Sequence, residues 1–141
     1  MSVPVHLRVV SVEVSLFEGD ADFIIANGAE GELGILPRHA PLLTSLKPGP
    51  LVIRHGGGED LLFVGGGFLE VLPDRVTVLA DVAERAEDIS EEAAERARRE
   101  IQERMVGAHE LTEQERLDME AALAAAEARL RMARMRRSGG R

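Results

Sequence analysis

The sequence predicts an α+β chain in which a β-sandwich or barrel is followed by an antiparallel α-helical hairpin. Short apolar runs broken by turn residues roughly every 8 to 12 positions occupy residues 1 to about 83, as in stacked or closed sheets. Near Val82 the composition changes to Ala, Glu and Arg, and no proline occurs from Glu84 to Arg137. Two helix-start signals, at Ser90 and Thr112, then flank Gly107, a residue suited to ending a helix. The change of composition sets a first domain at residues 1–84 and a second at 85–141.

In the first part, "VHLRV" alternates through Val5, Leu7 and Val9, then slips by one place to Val10, Val12 and Val14. Such a slip predicts a bulge near Val9. Further strands are expected at "DFIIA", "LLTSL", "LVIRH", "DLLFV", "FLEVL" and "RVTVLA", separated by "KPGP", "HGGGED", "GGG" and "PDR". Gly56 to Gly58 read as a hairpin turn, and Gly65 to Gly67 as a bend or a close approach of sheets. Leu61 to Val64 are apolar throughout, which is expected where both faces of a strand are covered.

In the second part, Ser90 followed by Glu91 and Glu92 supplies a capping hydroxyl and negative charge in the first turn. Ala94, Ala97, Ile101 and Met105 fall on one side of this helix. Thr112-Glu113-Gln114-Glu115 is a capping box, in which side chain and backbone satisfy each other's free donors. The second helix carries a stripe at Leu117, Ala121, Ala124, Ala128, Met132 and Met135, and is expected to fray near Ser138-Gly139-Gly140. A seam built mostly of alanine contributes only about 0.8 kcal/mol per buried methyl, little against the entropy of ordering the chain. The hairpin is therefore expected to be marginal and able to exchange its internal contacts for others.

Composition excludes several function classes. The 141 residues contain no Cys, Trp or Tyr, which removes thiolate catalysis and cysteine-based zinc sites. A net charge of −8 argues against nucleic acid, whose phosphates need an excess of Lys and Arg. No run reaches the roughly 18 apolar residues of a membrane span, and the N-terminus lacks the pattern of a secretory signal. A soluble chain is expected, free to sit on a larger membrane assembly.

Three stretches are candidate sites. "EGELGILPRHAPLLT" holds Glu30, Glu32 and His39 among glycines and a fixed proline. Metal binding needs three or four convergent ligands, and acid–base catalysis needs a partner that the stretch does not supply. A structured, binding-competent surface loop fits better. The glycines of "HGGGED" and "VGGGFLEV" are followed by neither the lysine of a phosphate loop nor a helix. Arg129, Arg131, Arg134, Arg136, Arg137 and Arg141 end the chain without an intervening acid. Helix-dipole complementation explains a few of them; composition leaves an acidic protein partner and a solvated tail equally open.

"EGELGILPRHAPLLTSLKPG", "GGGFLEVLPDRVTVLAD" and the acidic hairpin together resemble the epsilon subunit of F-type ATP synthases, over roughly residues 1–137. The resemblance implies a two-sheet sandwich of about ten short strands and a helical hairpin. It implies a non-catalytic central-stalk subunit, held by the gamma subunit and seated on the c-ring, at the cytoplasmic face of a bacterial membrane. Carried over from the "GELG" and "HAP" motifs, Glu32, Gly34 and His39 lie at the rotor contacts. The resemblance further implies that the hairpin is regulatory. Extended, its second helix would bring Arg129, Arg131, Arg134, Arg136 and Arg137 to acidic segments of the alpha and beta subunits and block ATP hydrolysis.

Some members of that family bind ATP through an apolar-Asp-x-x-Arg-Ala pattern at the first helix. Here the matching residues are Ile89-Ser90-Glu91-Glu92-Ala93-Ala94, with Ser90 and Ala93 at the Asp and Arg positions. Weak or absent ATP binding is expected, and no other cofactor. Two other readings stand beside this one: a free-standing protein-binding adaptor, and a small enzyme acting at the Glu30–His39 loop.

Overall fold

The computed structural model describes residues 3–107 and 109–139, with side chains described through residue 135. Two compact units result, Met1–Ala86 and Glu87–Arg141.

The first unit contains β1 (Val5–Ser11), β2 (Ser15–Ala21), β3 (Phe23–Gly28), β4 (Gly31–Ile35), β5 (Leu42–His55), β6 (Gly58–Leu72), β7 (Arg75–Ala80) and β8 (Ala83–Arg85). The strand order is β2-β1-β7-β6-β5-β3-β4, with β8 also paired to β6. Only β1 and β7 run parallel among these pairs. The long β5–β6 hairpin is the spine shared by both layers of a β-sandwich. Its Gly67–Leu72 part pairs with β7, its Leu62–Val64 part with β8, and Val52–Arg54 with β3. The core between the layers is aliphatic, with Leu7, Val9, Ile24, Ile35, Ile53, Leu62, Leu69 and Val78 all buried.

Among the described residues eight strands form where about ten were expected; "LLTSL" and "LVIRH" are one strand and "DLLFV" and "FLEVL" another. Their separators bend the ladder without ending it. Pro48 pairs with Gly65 and Pro50 with Phe63, so the β5–β6 ladder continues through the prolines. Being two residues apart, both prolines lack a donor on the same side, where the β3–β5 register is interrupted between Ile25 and Gly28. Across from them, Gly66 and Gly67 have φ of 99° and 134°, a region open to glycine. A Cβ on Gly67 would lie 2.1 Å from the Leu79 carbonyl oxygen. The expected bend is therefore present, and Gly67 is required for it. The turn at Gly56 and Gly57 is also present.

The bulge is found between Val9 and Val10. Val12 and Val14, however, do not continue the strand. The Ser11 amide donates to the Val14 carbonyl at 2.8 Å, which closes a turn and leaves Val12 95% exposed. Leu62, Phe63 and Val64 are all buried, as the apolar run suggested; Leu62 and Val64 join the core while Phe63 faces the other way.

The second unit contains α1 (Glu91–Gly107) and α2 (Glu113–Gly139). Both caps form as expected. The Ala93 amide donates to Ser90 Oγ at 3.1 Å. The Glu115 amide donates to Thr112 Oγ1, and the Thr112 amide to Glu115 Oε1, each at 3.0 Å. On α1, Ala94 is buried and Ala97, Ile101 and Met105 half-buried, the face that periodicity indicated.

The expected stripe on α2 is only partly buried. Ala128 and Met132 are inside, but Leu117, Ala121, Ala124 and Met135 are exposed. Ala126, Leu130 and Ala133 are buried instead, with Leu123 half-buried. On so alanine-rich a helix several faces have equal small-residue character, and the larger area of Leu123 and Leu130 decides between them. No helix is long and apolar enough to cross a membrane among the described residues.

Candidate functional site

The candidate loop is half strand and half turn. Glu32 and Gly34 lie on β4, paired with Asn27 and Ile25 of β3, and both are exposed. A Cβ at Gly34 would stand 3.0 Å from the Phe23 ring, so this glycine admits the aromatic side chain. The turn before β4 is tied to β5: the Ala29 amide donates to the Ser45 carbonyl at 3.0 Å, and Asn27 Nδ2 to the Pro48 carbonyl at 3.1 Å. A small cavity of ~140 Å³ opens there, lined by Glu30, Glu32, Leu33, Leu42 and Thr44 with two glycines.

His39 is half-buried and does not line this cavity. It follows Arg38, which has a positive φ of 66° and whose backbone amide donates a hydrogen bond to the Pro73 carbonyl at 3.2 Å. The His39 ring Nδ1 lies 2.7 Å from the Ala40 carbonyl oxygen, which fixes the imidazole to its own backbone. Glu30 and Glu32 thus share a rim while His39 stands apart. No cluster of three or more metal-ligating side chains occurs among the described residues.

A second feature escaped the sequence reading. On the outer face of the β1–β7–β6–β5 layer, Phe68 pairs across strands with Leu79, and Leu79 with Val10. Phe68 and Leu79 are each 55% exposed, and Leu43 on β5 is 70% exposed. These positions alternate with the core residues Leu69 and Val78, so a polar face was due there. The signal was present in "FLEVL" and "RVTVLA", where Phe68 and Leu79 are apolar at positions out of phase with the core.

The basic candidates divide. Arg129 is half-buried and Arg131 exposed. Arg134 Nε lies 3.3 Å from Glu91 Oε2, and its Nη2 3.7 Å from Glu95 Oε2, across the hairpin. Arg136 and Arg137 lie outside the described side chains. Hydrogen bonding from Arg98 is the main reason that the Glu95 carboxyl is held below its usual range, with the charges of Arg98, Arg134 and Arg99 adding to it against partial desolvation. At the start of α2, hydrogen bonds from the Thr112 backbone and side chain likewise lower Glu115. In the changed nucleotide motif, Ser90 spends its hydroxyl on the helix cap.

A family model described as the beta-sandwich domain of the ATP synthase delta/epsilon chain matches residues 4–86. The ATP synthase epsilon chain of Acidithiobacillus ferridurans is 56% identical over 107 residues, 76% of each chain. That of Hydrogenovibrio crunogenus is 46% identical over 127 residues, 90% of this chain and 88% of the relative. In fold, the chain is similar to one in the Euglena gracilis mitochondrial ATP synthase, with a TM-score of 0.77, 24% identity, and coverage of 91% of this chain and 80% of that one. A chain of the Tetrahymena thermophila mitochondrial ATP synthase central stalk and c-ring gives a TM-score of 0.68 at 15% identity, covering 93% and 97%. The family match spans more than half of the chain and agrees with these relatives, so the chain belongs to the ATP synthase delta/epsilon chain family, whose epsilon chains are subunits of the complex and not its catalytic chains.

Proposed function

We propose that this chain is the epsilon-type subunit of a rotary ATP synthase, coupling the catalytic head to the membrane c-ring without catalysing a step itself. The observation that carries the docking role is the exposed apolar cross-strand row of Phe68 and Leu79, continued by Val10, on an otherwise well-formed sheet. Contiguous apolar surface of this kind favours a protein partner over solvent, and kinship with epsilon chains supports the gamma subunit as that partner. Glu32, Gly34 and His39 take the adjoining rotor contacts, with Glu32 on the exposed β4 edge and His39 held rigid by its backbone. Rigid presentation lowers the entropy lost on docking.

The sandwich, residues 1–84, is in this reading the rotor-docking domain, and residues 85–141 are the regulatory one. Released from the hairpin, Arg129, Arg131 and Arg134, with Arg136 and Arg137 beyond them, meet acidic segments of the alpha and beta subunits and restrain hydrolysis. The complex holds the chain peripherally at the cytoplasmic face of a bacterial membrane. ATP binding to the hairpin is weak or absent in this reading, since Ser90 and Ala93 replace the Asp and Arg of the motif.

Two measurements test this. Affinity capture of the tagged full chain from membranes should retrieve the gamma subunit with the catalytic head; capture of unrelated proteins alone would favour a free-standing adaptor. Truncation after Gly107 should preserve assembly and raise ATP hydrolysis, and unchanged hydrolysis would remove the regulatory role.

A further inference from the structure

We propose that Glu91 and Glu95 of α1 form a latch with Arg134 of α2, holding the hairpin closed and withholding that arginine from an outside acidic partner. This rests on the regulatory reading above and adds the contact that opposes it. Glu91 and Glu95 are one helical turn apart, so their carboxylates share a face. Arg134 reaches both, at 3.3 and 3.7 Å. The residues it joins to are 43 positions away in the Glu91 case, so the pairing is tertiary. The ion pairs of Arg116 with Glu113 and Glu120, by contrast, lie within α2 and survive any opening of the hairpin.

The surroundings suit a latch. Glu91, Glu92, Glu95, Arg96, Arg99 and Arg134 line one open cleft of ~490 Å³ between the helices. Of the guanidiniums that line it, Arg134 alone comes from α2. Arg98, which hydrogen-bonds both oxygens of Glu95, belongs to α1 and stays with it when the helices part, so Arg134 is the cation whose pairing depends on closure. The side chains of Glu91 and Glu95 are only about a quarter exposed, whereas Arg134 is half exposed. The acceptors are thus the more enclosed partners, and the arginine is the one more accessible to an outside acid. An acidic partner gains Arg134 only by outcompeting two carboxylates already in place, which sets a threshold for inhibition.

The test uses the full chain, alone and in the assembled synthase. In Glu91→Gln/Glu95→Gln, amide exchange over residues 126–135 of α2 should accelerate about threefold, the scale of exposed ion pairs, while the sandwich amides keep their rates. Glu92→Gln removes the same charge from the same turn and should leave α2 unchanged. The swap Glu91→Arg/Arg134→Glu should return slow exchange. Unchanged exchange in the double variant, or equal acceleration in Glu92→Gln, would overturn the latch whatever happens to hydrolysis. Faster exchange with lower hydrolysis in the assembled double variant supports both the latch and the regulatory role. Faster exchange with unaltered hydrolysis keeps the latch and refutes the inhibitory role of the helices.

Discussion

Gly67→Ala should destabilise the sandwich more than any other single methyl added to it at a glycine. Its φ of 134° lies where a side chain costs about 1–3 kcal/mol. The new Cβ would also sit 2.1 Å from the Leu79 oxygen and 2.9 Å from the Ala80 Cα. Both are backbone atoms of β7, so no side chain can swing aside. Relief requires parting the Gly67↔Ala80 pairing, which costs roughly a further 1 kcal/mol for a ladder hydrogen bond. The sum is about 3 kcal/mol. With a urea dependence of about 1.5 kcal/mol per molar, the unfolding midpoint should fall by about 2 M. Gly57→Ala is the control, because only His55 Nδ1 approaches its added Cβ, at 3.8 Å; its midpoint should stay within about 0.3 M. Urea titration of both variants, followed by far-ultraviolet circular dichroism, decides the matter. A Gly67→Ala midpoint matching that of Gly57→Ala would refute the claim that the bend depends on a missing Cβ.

Phe68→Ser/Leu79→Ser should leave the urea midpoint within about 0.5 M of the parent yet weaken binding to the gamma subunit at least tenfold in a titration of purified subunits. Phe63→Ala, in contrast, removes a fully buried ring and should cost about 3–5 kcal/mol in the same unfolding assay. Thr112→Ala removes the α2 cap, with about 1 kcal/mol of helix stability lost and faster amide exchange over Glu113 to Arg116. Because Glu115 is lowered in the folded chain, its capping contribution is complete above about pH 5, beyond the ordinary carboxylate range, and fades as pH falls through its depressed value. Helical signal from α2 should therefore decline on acidification, and less so in Glu115→Gln. Calorimetry of the isolated full chain with ATP should give no micromolar binding.

Much of this architecture was legible because it rests on local chemistry. Ser90 and the Thr112–Glu115 box announce helix starts in any context, since free amide donors seek the nearest oxygen. The shift of alternation after Val9 marked the bulge, and three consecutive glycines marked the bend. β2, β4 and β8 were not legible, because polar and glycine-rich segments such as "SLFEGDA" and "GELGI" become strands only when a neighbour pairs with them.

The sequence by itself determined the two kinds of secondary structure, the place where one yields to the other, the caps, and the absence of cysteine chemistry. Only the tertiary structure decided that β5 and β6 run unbroken through prolines and glycines, because ladder pairing is a property of two strands together. It alone selected Ala126, Leu130 and Ala133 for burial on an alanine-rich helix whose faces have nearly equal propensity. It also left Phe68 and Leu79 in solvent and brought Arg134 to Glu91. Local pattern specifies which face is apolar, whereas long-range packing decides which apolar face is covered.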